Sequence, residues 1–166
     1  RRQRQMCIRD SPRAVQGIGV TYATTTMGAD HTAGYSVTAN VLGVGGNVDG
    51  TKPEGQVELS RNLQIATAAI DATGMCLFIA FAILDQAETY QALLDVLSGF
   101  TGQPCTADDF TDLGKSILKQ EREFNAAAGF TSKDDRLPAF FKSESISPHN
   151  VTFGVSDEEL DSVFNF

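Results

Sequence analysis

Tryptophan is absent from the chain, and cysteine and histidine are scarce, with three and two residues among 166. The cysteines, Cys7, Cys76 and Cys105, form no C-x-x-C pair and no disulfide-framework spacing. That pattern excludes a disulfide scaffold and suits a reducing compartment. Long apolar runs are missing too. The longest, Leu77 to Leu84, is eight residues, against roughly 20 for a bilayer-spanning helix. The opening "RRQRQMCIRD" has the basic start of a signal peptide but no apolar stretch behind it, so export is not expected and the cytoplasm is the expected compartment. Basic residues are few outside that opening: nine against 21 acidic residues from position 10 onward, a net charge of −12. An acidic body repels nucleic acid and anionic lipid, so neither is an expected partner.

What is present describes an ordered domain. An apolar share of 42% with 20% charged residues gives a chain of this length one core of useful size. Residues 11–50 are rich in Gly, Thr and Ala and show no clean periodicity, which predicts mostly loop with one short helix. Helix start signals follow. "TKPE" (51–54) offers a Thr cap, a Pro in the first turn and a Glu at the third position, predicting a helix to about Ile70. The same S/T/D-x-x-E/D signal recurs at "DQAE" (85–88), "TADD" (106–109) and "SDEE" (156–159). After the second, Tyr90, Leu93, Leu94 and Leu97 share a face and Gly99 reads as the residue that ends the helix. After the third, Phe110, Leu113, Ile117, Leu118 and Phe124 do the same, with a stop near Gly129. The tail from Phe130 reads as loop, and the last helix breaks off at "SVFNF", which predicts truncation. The fold class is mainly α, an irregular Gly/Thr-rich segment followed by packed amphipathic helices.

Two short stretches carry chemistry. "DATGMC" (71–76) places an aspartate, a glycine and a cysteine directly before the apolar run "LFIAFAIL". A carboxylate accepts two N–H groups from a guanidine-like edge such as a pterin ring, a glycine permits a tight turn beside a cofactor, and a thiolate ligates iron. A small loop between buried helices, with Cys76 as a small hydrophobe, is the plainer reading of the same residues. A four-iron cluster needs four ligands, so this chain cannot build one alone. "MGADHT" (27–32) holds His31 among small residues, where a backbone comes close to a ligand or where the ring is simply a hydrogen-bonded structural group. The second histidine, His149, falls in a polar loop and is expected to be solvated. "GVGGNVDG" (43–50) lacks the Lys-Ser/Thr ending of a phosphate loop and reads as turn chemistry.

"GIGVTYATTTMGADH", "DATGMC", "GKSILKQEREFNAAAGFTSKDDRLPAFF" and "SDEELDSVF", in that order, resemble the C-terminal part of the aldehyde ferredoxin oxidoreductase family, tungsten- or molybdenum-pterin enzymes. The resemblance covers residues 11–166 and implies the helical C-terminal domain of a longer protein, truncated at both ends. Residues 1–10, with Cys7, have no counterpart in it and read as adapter-derived sequence. In the family a D-x-x-G-L-C segment binds a pterin and supplies one ligand of a 4Fe-4S cluster. The resemblance therefore implies Asp71, Gly74 and Met75 at the pterin, with Met75 standing where Leu is common, and Cys76 as the cluster ligand. It implies His31 as the catalytic residue near the metal, moving a proton. The implied cofactors are a tungsten (or molybdenum) bis-pyranopterin and a 4Fe-4S cluster; the implied partners are ferredoxin as acceptor and a small aldehyde or oxo substrate. Burial in "LFIAFAIL" is expected to keep water off the cluster. The family's C-x-x-C-x-x-x-C group is not in this chain. The rival reading is a catalytically silent helical interaction module; a nucleotide binder would need a strand before Gly43.

Overall fold

A computed structural model describes residues 11–166, so the expectation for the basic opening and Cys7 lies outside the described residues. The architecture is mainly α, as expected. Among the described residues its helices are α1 (Gln16–Thr24), α2 (Gln56–Ala72), α3 (Ala80–Asp85), α4 (Ala87–Thr101), α5 (Ala107–Ala127), α6 (Phe140–Ser143) and α7 (Asp157–Asp161), with tighter turns at Thr32–Gly34, Leu77–Ile79 and Ser132–Asp134 and a wider π turn at Thr38–Leu42. Among the described residues the only strand-like pairing is a single antiparallel bridge between Ile146 and Val151. No described helix is long and apolar enough to cross a membrane.

The one short helix expected in the glycine- and threonine-rich segment is α1, and it lies at the centre of the molecule. Ile18, Val20, Thr21 and Thr24 are all buried. A helix enclosed on nearly every side has no solvent-facing polar stripe, which is why the segment carries no amphipathic signal. Small residues let its neighbours close in: a Cβ added at Gly19 would stand 2.5 Å from the Phe153 ring. Val20 and Ala23 pack with Phe141, Phe153, Val155, Leu160 and Val163. The loop-like tail thus returns to supply most of this core, tied down by Arg61, whose guanidinium donates to the carbonyls of Val163 (2.6 Å) and Ser162 (3.0 Å).

The α1–α2 interface is polar and hydrogen-bonded. The hydroxyls of Thr21 and Ser60 lie 2.7 Å apart, Thr21 donates to the Gly34 carbonyl at 3.0 Å, and Gln64 Nε2 donates to Ser60 Oγ and Thr24 Oγ1. Gln16 and Gln56 act as staples. Gln16 donates to Thr51 O and accepts from the Gly154 N–H, while Gln56 donates to the Asp49 and Lys52 carbonyls. The other half of α2 packs in a second core, where Ala69 and Ile70 meet Ile83, Leu93, Leu94 and Phe110.

Two of the four expected capping boxes form. Thr106 with Asp109 opens α5, and Ser156 with Glu159 opens α7. The box at Thr51 does not form: both the N–H and the hydroxyl of Thr51 are engaged by Asp49 Oδ1, and α2 starts only after Gly55, whose φ is +77°. The box at Asp85 does not form either, because its carboxylate accepts from the Gln86 side chain and α4 begins without a side-chain cap. Gly99 lies inside α4. The helix ends at Gly102, in the left-handed region with φ +72°. α5 runs to Ala127, close to its expected stop.

α5 crosses α2 at Gly114, where a Cβ would stand 2.1 Å from the Ile65 carbonyl oxygen. Only a residue without a side chain permits that approach. Gly114→Ala is expected to destabilise the chain by about 3 kcal/mol or more, because backbone rather than a flexible side chain must move. Gly99→Ala, a helical site with open space around the new methyl, is expected to stabilise by up to about 1 kcal/mol. Urea unfolding followed by circular dichroism checks both; equal effects at the two glycines would refute the close-packed crossing.

Candidate functional site

α1 leads into one site loop and α2 into the other. Beyond α1, Asp30 Oδ1 accepts from both the N–H and the hydroxyl of Thr32, each at 2.9 Å, in an Asx turn that fixes the backbone at His31. The Asp30 carboxylate therefore serves the turn. The His31 ring is half-buried and lies 5.5 Å from the Tyr35 ring. The whole turn is anchored inward, since Gly34 is buried and its carbonyl accepts from Thr21.

Asp71 sits in the last turn of α2. Thr73 Oγ1 donates to Ile70 O at 2.6 Å, the Gly74 N–H donates to Asp71 O at 3.0 Å, and Gly74 takes φ +74°. These contacts close the helix and reverse the chain. Met75 then packs against the second core, and Cys76 opens the short turn Leu77–Ile79. The Asp71 carboxylate and the Cys76 thiol have no hydrogen-bond or ion-pair partner among the described residues.

His31, Asp71 and Cys76 all line one cavity of about 870 Å³. Gly74 and Met75 are not among its lining residues; Gly74 shapes the loop and Met75 anchors it. His149 is exposed, as expected, and Gly43, Gly45 and Gly46 all take positive φ in turns, in line with the turn reading of that segment. The plainer reading of Cys76 as a small buried hydrophobe is overturned. Of the run "LFIAFAIL" only Ile83 is buried, Phe78 is 80% exposed and Cys76 is exposed. The reason is geometric: the run forms a rim, with Leu77, Phe78, Phe81 and Leu84 lining the cavity and Ile83 reaching both the cavity and the second core.

Sequence reasoning missed the rest of the lining. Tyr35 follows His31 by four residues, and Phe78 and Phe81 are three apart, spacings that put side chains on a shared face, but an apolar run reads first as core. Tyr90 and Lys115 complete the far side. Burial, then the neighbouring Cys105 and Asp108, push the Tyr90 phenol above its ordinary range, so it remains protonated at neutral pH. Among the described residues no group of three His, Cys, Asp or Glu side chains is placed to hold a metal ion. At the cavity the described residues leave one exposed thiol, Cys76, and one carboxylate, Asp71, without a hydrogen-bond partner among them.

Comparison with known proteins yields one family. The model described as "Aldehyde ferredoxin oxidoreductase, domains 2 & 3" matches residues 5–164. The tungsten-containing aldehyde ferredoxin oxidoreductases of Pyrococcus furiosus and Thermococcus kodakarensis are each 33% identical over 135 residues, covering 80% of this chain and 22% of theirs. The Pyrococcus horikoshii protein of the same name is 33% identical over the same length, 21% of its own. The chain thus spans about a fifth of the relatives it matches.

Exposure sets an order of thiol reactivity. In a Cys7→Ser background, Cys76 is expected to alkylate with iodoacetamide several times faster than Cys105, which is partly covered and lies against the second core. Peptide mass spectrometry over a time course reads both rates, and a faster Cys105 would refute the placement of Cys76 on the rim.

Proposed function

Because the chain belongs to the aldehyde ferredoxin oxidoreductase family, we propose that it forms one side of the active site of a larger oxidoreductase. That enzyme converts an aldehyde and water to the carboxylic acid, releasing two protons and two electrons, with ferredoxin as the electron acceptor. The observation that carries this reading is the convergence of His31, Asp71 and Cys76, 45 sequence positions from first to last, on one cavity. The curated relatives are named tungsten-containing, which supports a tungsten pterin here, with molybdenum the alternative metal.

Each residue has a part that its chemistry allows. Asp71, whose carboxylate has no partner among the described residues, accepts paired N–H groups from the pterin's amino-pyrimidine edge. Gly74, by reversing the chain, brings Cys76 close behind Asp71, and Met75 fastens the loop to the core. Cys76, as thiolate, is one of four ligands of a 4Fe-4S cluster whose other ligands come from outside these residues. His31 holds and moves a proton at the substrate oxygen, its ring steadied by Tyr35. When bound, the metal and its pterin supply Lewis acidity and take up the electron pair. One loop carrying both Asp71 and Cys76 keeps the electron's path from pterin to cluster short.

The test uses the parent polypeptide with its whole reading frame. Cys76→Ser is expected to lose cluster iron, Asp71→Asn to lower bound tungsten, and His31→Gln to keep both metals while kcat falls by roughly a hundredfold or more. Metal analysis and the visible spectrum of the cluster are the readouts. Full retention of iron by Cys76→Ser would overturn the ligand assignment, and the catalytically silent module would then account for the chain.

A further inference from the structure

His31 stands in a loop that is fastened at both ends. At its exit Asp30 turns the backbone and Thr21 holds the Gly34 carbonyl. Before His31, Met27, Gly28 and Ala29 are exposed, and Gly28 takes φ +88° with nothing within 4 Å of where a side chain would stand. That stretch has little to rest on. α1 has already closed ahead of it, with the Thr25 N–H donating to Thr21 O at 2.9 Å. The entry is fastened instead by α5: Glu121 Oε2 accepts from the Thr26 hydroxyl at 2.6 Å, and Asn125 Nδ2 donates to the Thr26 carbonyl at 2.7 Å.

Glu121 and Asn125 are four positions apart on α5 and so share a face. One bonds the side chain of Thr26 and the other its main chain, which sets both the place and the orientation of the peptide leading to His31. The same helix carries Phe110 and Lys115 to the cavity wall and is locked to α2 at Gly114. The His31 loop is thereby referred to the frame that holds Asp71, by bonds that cross 95 and 99 positions of sequence. Neither α5 residue lines the site cavity, and Thr26 and Asn125 border a second one, of about 820 Å³. Any effect on the chemistry has to pass through the loop. A role in holding the fold together suits them poorly, since Glu121 is exposed, Asn125 is half-buried and neither belongs to either core.

Resting on the function proposed above, we infer that Glu121 and Asn125 are positioning residues for His31. They hold Thr26, and through it they keep the imidazole aimed into the cavity that it shares with Asp71 and Cys76.

The chain has two histidines, and His149, in an exposed loop, serves as the internal reference for His31. NMR of the 166-residue chain with 13C-labelled imidazoles and 15N-labelled amides reads the loop without any metal. In the Glu121→Ala, Asn125→Ala double variant the His31 ring signal is expected to lose the shift that the Tyr35 ring imposes, with His149 unmoved. Amide order parameters at 27–31 are expected to fall from about 0.85 to below about 0.6. Glu121→Gln, which keeps an oxygen acceptor, and Thr26→Ser, which keeps the hydroxyl, are expected to retain the wild-type signals. In the metal-loaded parent protein Glu121→Ala is expected to lower kcat roughly threefold to tenfold, with KM and metal content unchanged. Adding Thr26→Val to it is expected to cost nothing further, because both substitutions remove one bond. An unmoved His31 signal in the double variant would overturn the inference, as would full kcat in Glu121→Ala where His31→Gln loses it. Full kcat in His31→Gln would instead remove the catalytic role of His31, and the NMR signals then test the hold on its loop alone.

Discussion

Thr21, Ser60 and Gln64 form the seam on which the rest of the molecule depends. Their hydroxyls and the Gln64 amide nitrogen lie enclosed between α1 and α2 and bond to one another, while Gln64 Oε1 has no partner among the described residues. A buried hydrogen bond contributes about 1 kcal/mol net, but a buried donor stripped of its partner costs about 1–3 kcal/mol. The seam therefore acts less as glue than as a constraint on register. Sliding α1 along α2 by one residue would strand several polar groups at once, a penalty that an apolar interface of the same area would not impose.

That register matters because each helix delivers half of the site. Thr21 reaches past its own helix to the Gly34 carbonyl, so the position of the turn carrying His31 is set by the residue that pairs with Ser60. α2 continues from Ser60 and Gln64 to Asp71, and its second half is held against α5 at the Gly114 crossing. The same α5 supplies Phe110 to the far wall of the cavity. Two backbone constraints, a polar seam and a missing side chain, thus place His31, Asp71 and the apolar walls in one frame. None of the three site side chains is fixed by a direct contact with another.

The sequence was most legible where both halves of a signal are neighbours in the chain. Thr106 with Asp109 and Ser156 with Glu159 close on themselves and formed as read. Thr51 with Glu54 had the same letters, but Asp49 stands two residues away and takes the threonine first. α1 was visible only as a short helix of unknown importance, because complete burial erases periodicity and its partners Phe141, Phe153 and Val155 lie more than a hundred residues on. Asp71, Cys76 and His31 were singled out from chemistry together with a family resemblance, and they line one cavity. Tyr35, Phe78 and Phe81 were not singled out, since an apolar run carries no mark that tells a rim from a core.

The exposed thiol and the exposed Phe78 follow from the same loop geometry. Gly74 takes a left-handed backbone with nothing within 4 Å of where a side chain would stand, so conformational strain rather than a clash is what excludes other residues there. The reversal turns Cys76 outward just after Asp71 and sets the following segment along the cavity edge. A loop that buried Cys76 in its own domain would have left no face from which other ligands could approach. A thiol on the rim is exposed and lines the same cavity as the Asp71 carboxylate, the arrangement that the proposed ligand roles require. In a domain that spans a fifth of its relatives, the apolar run completes an edge that is half wall and half threshold, and the loop that ends α2 decides where one gives way to the other.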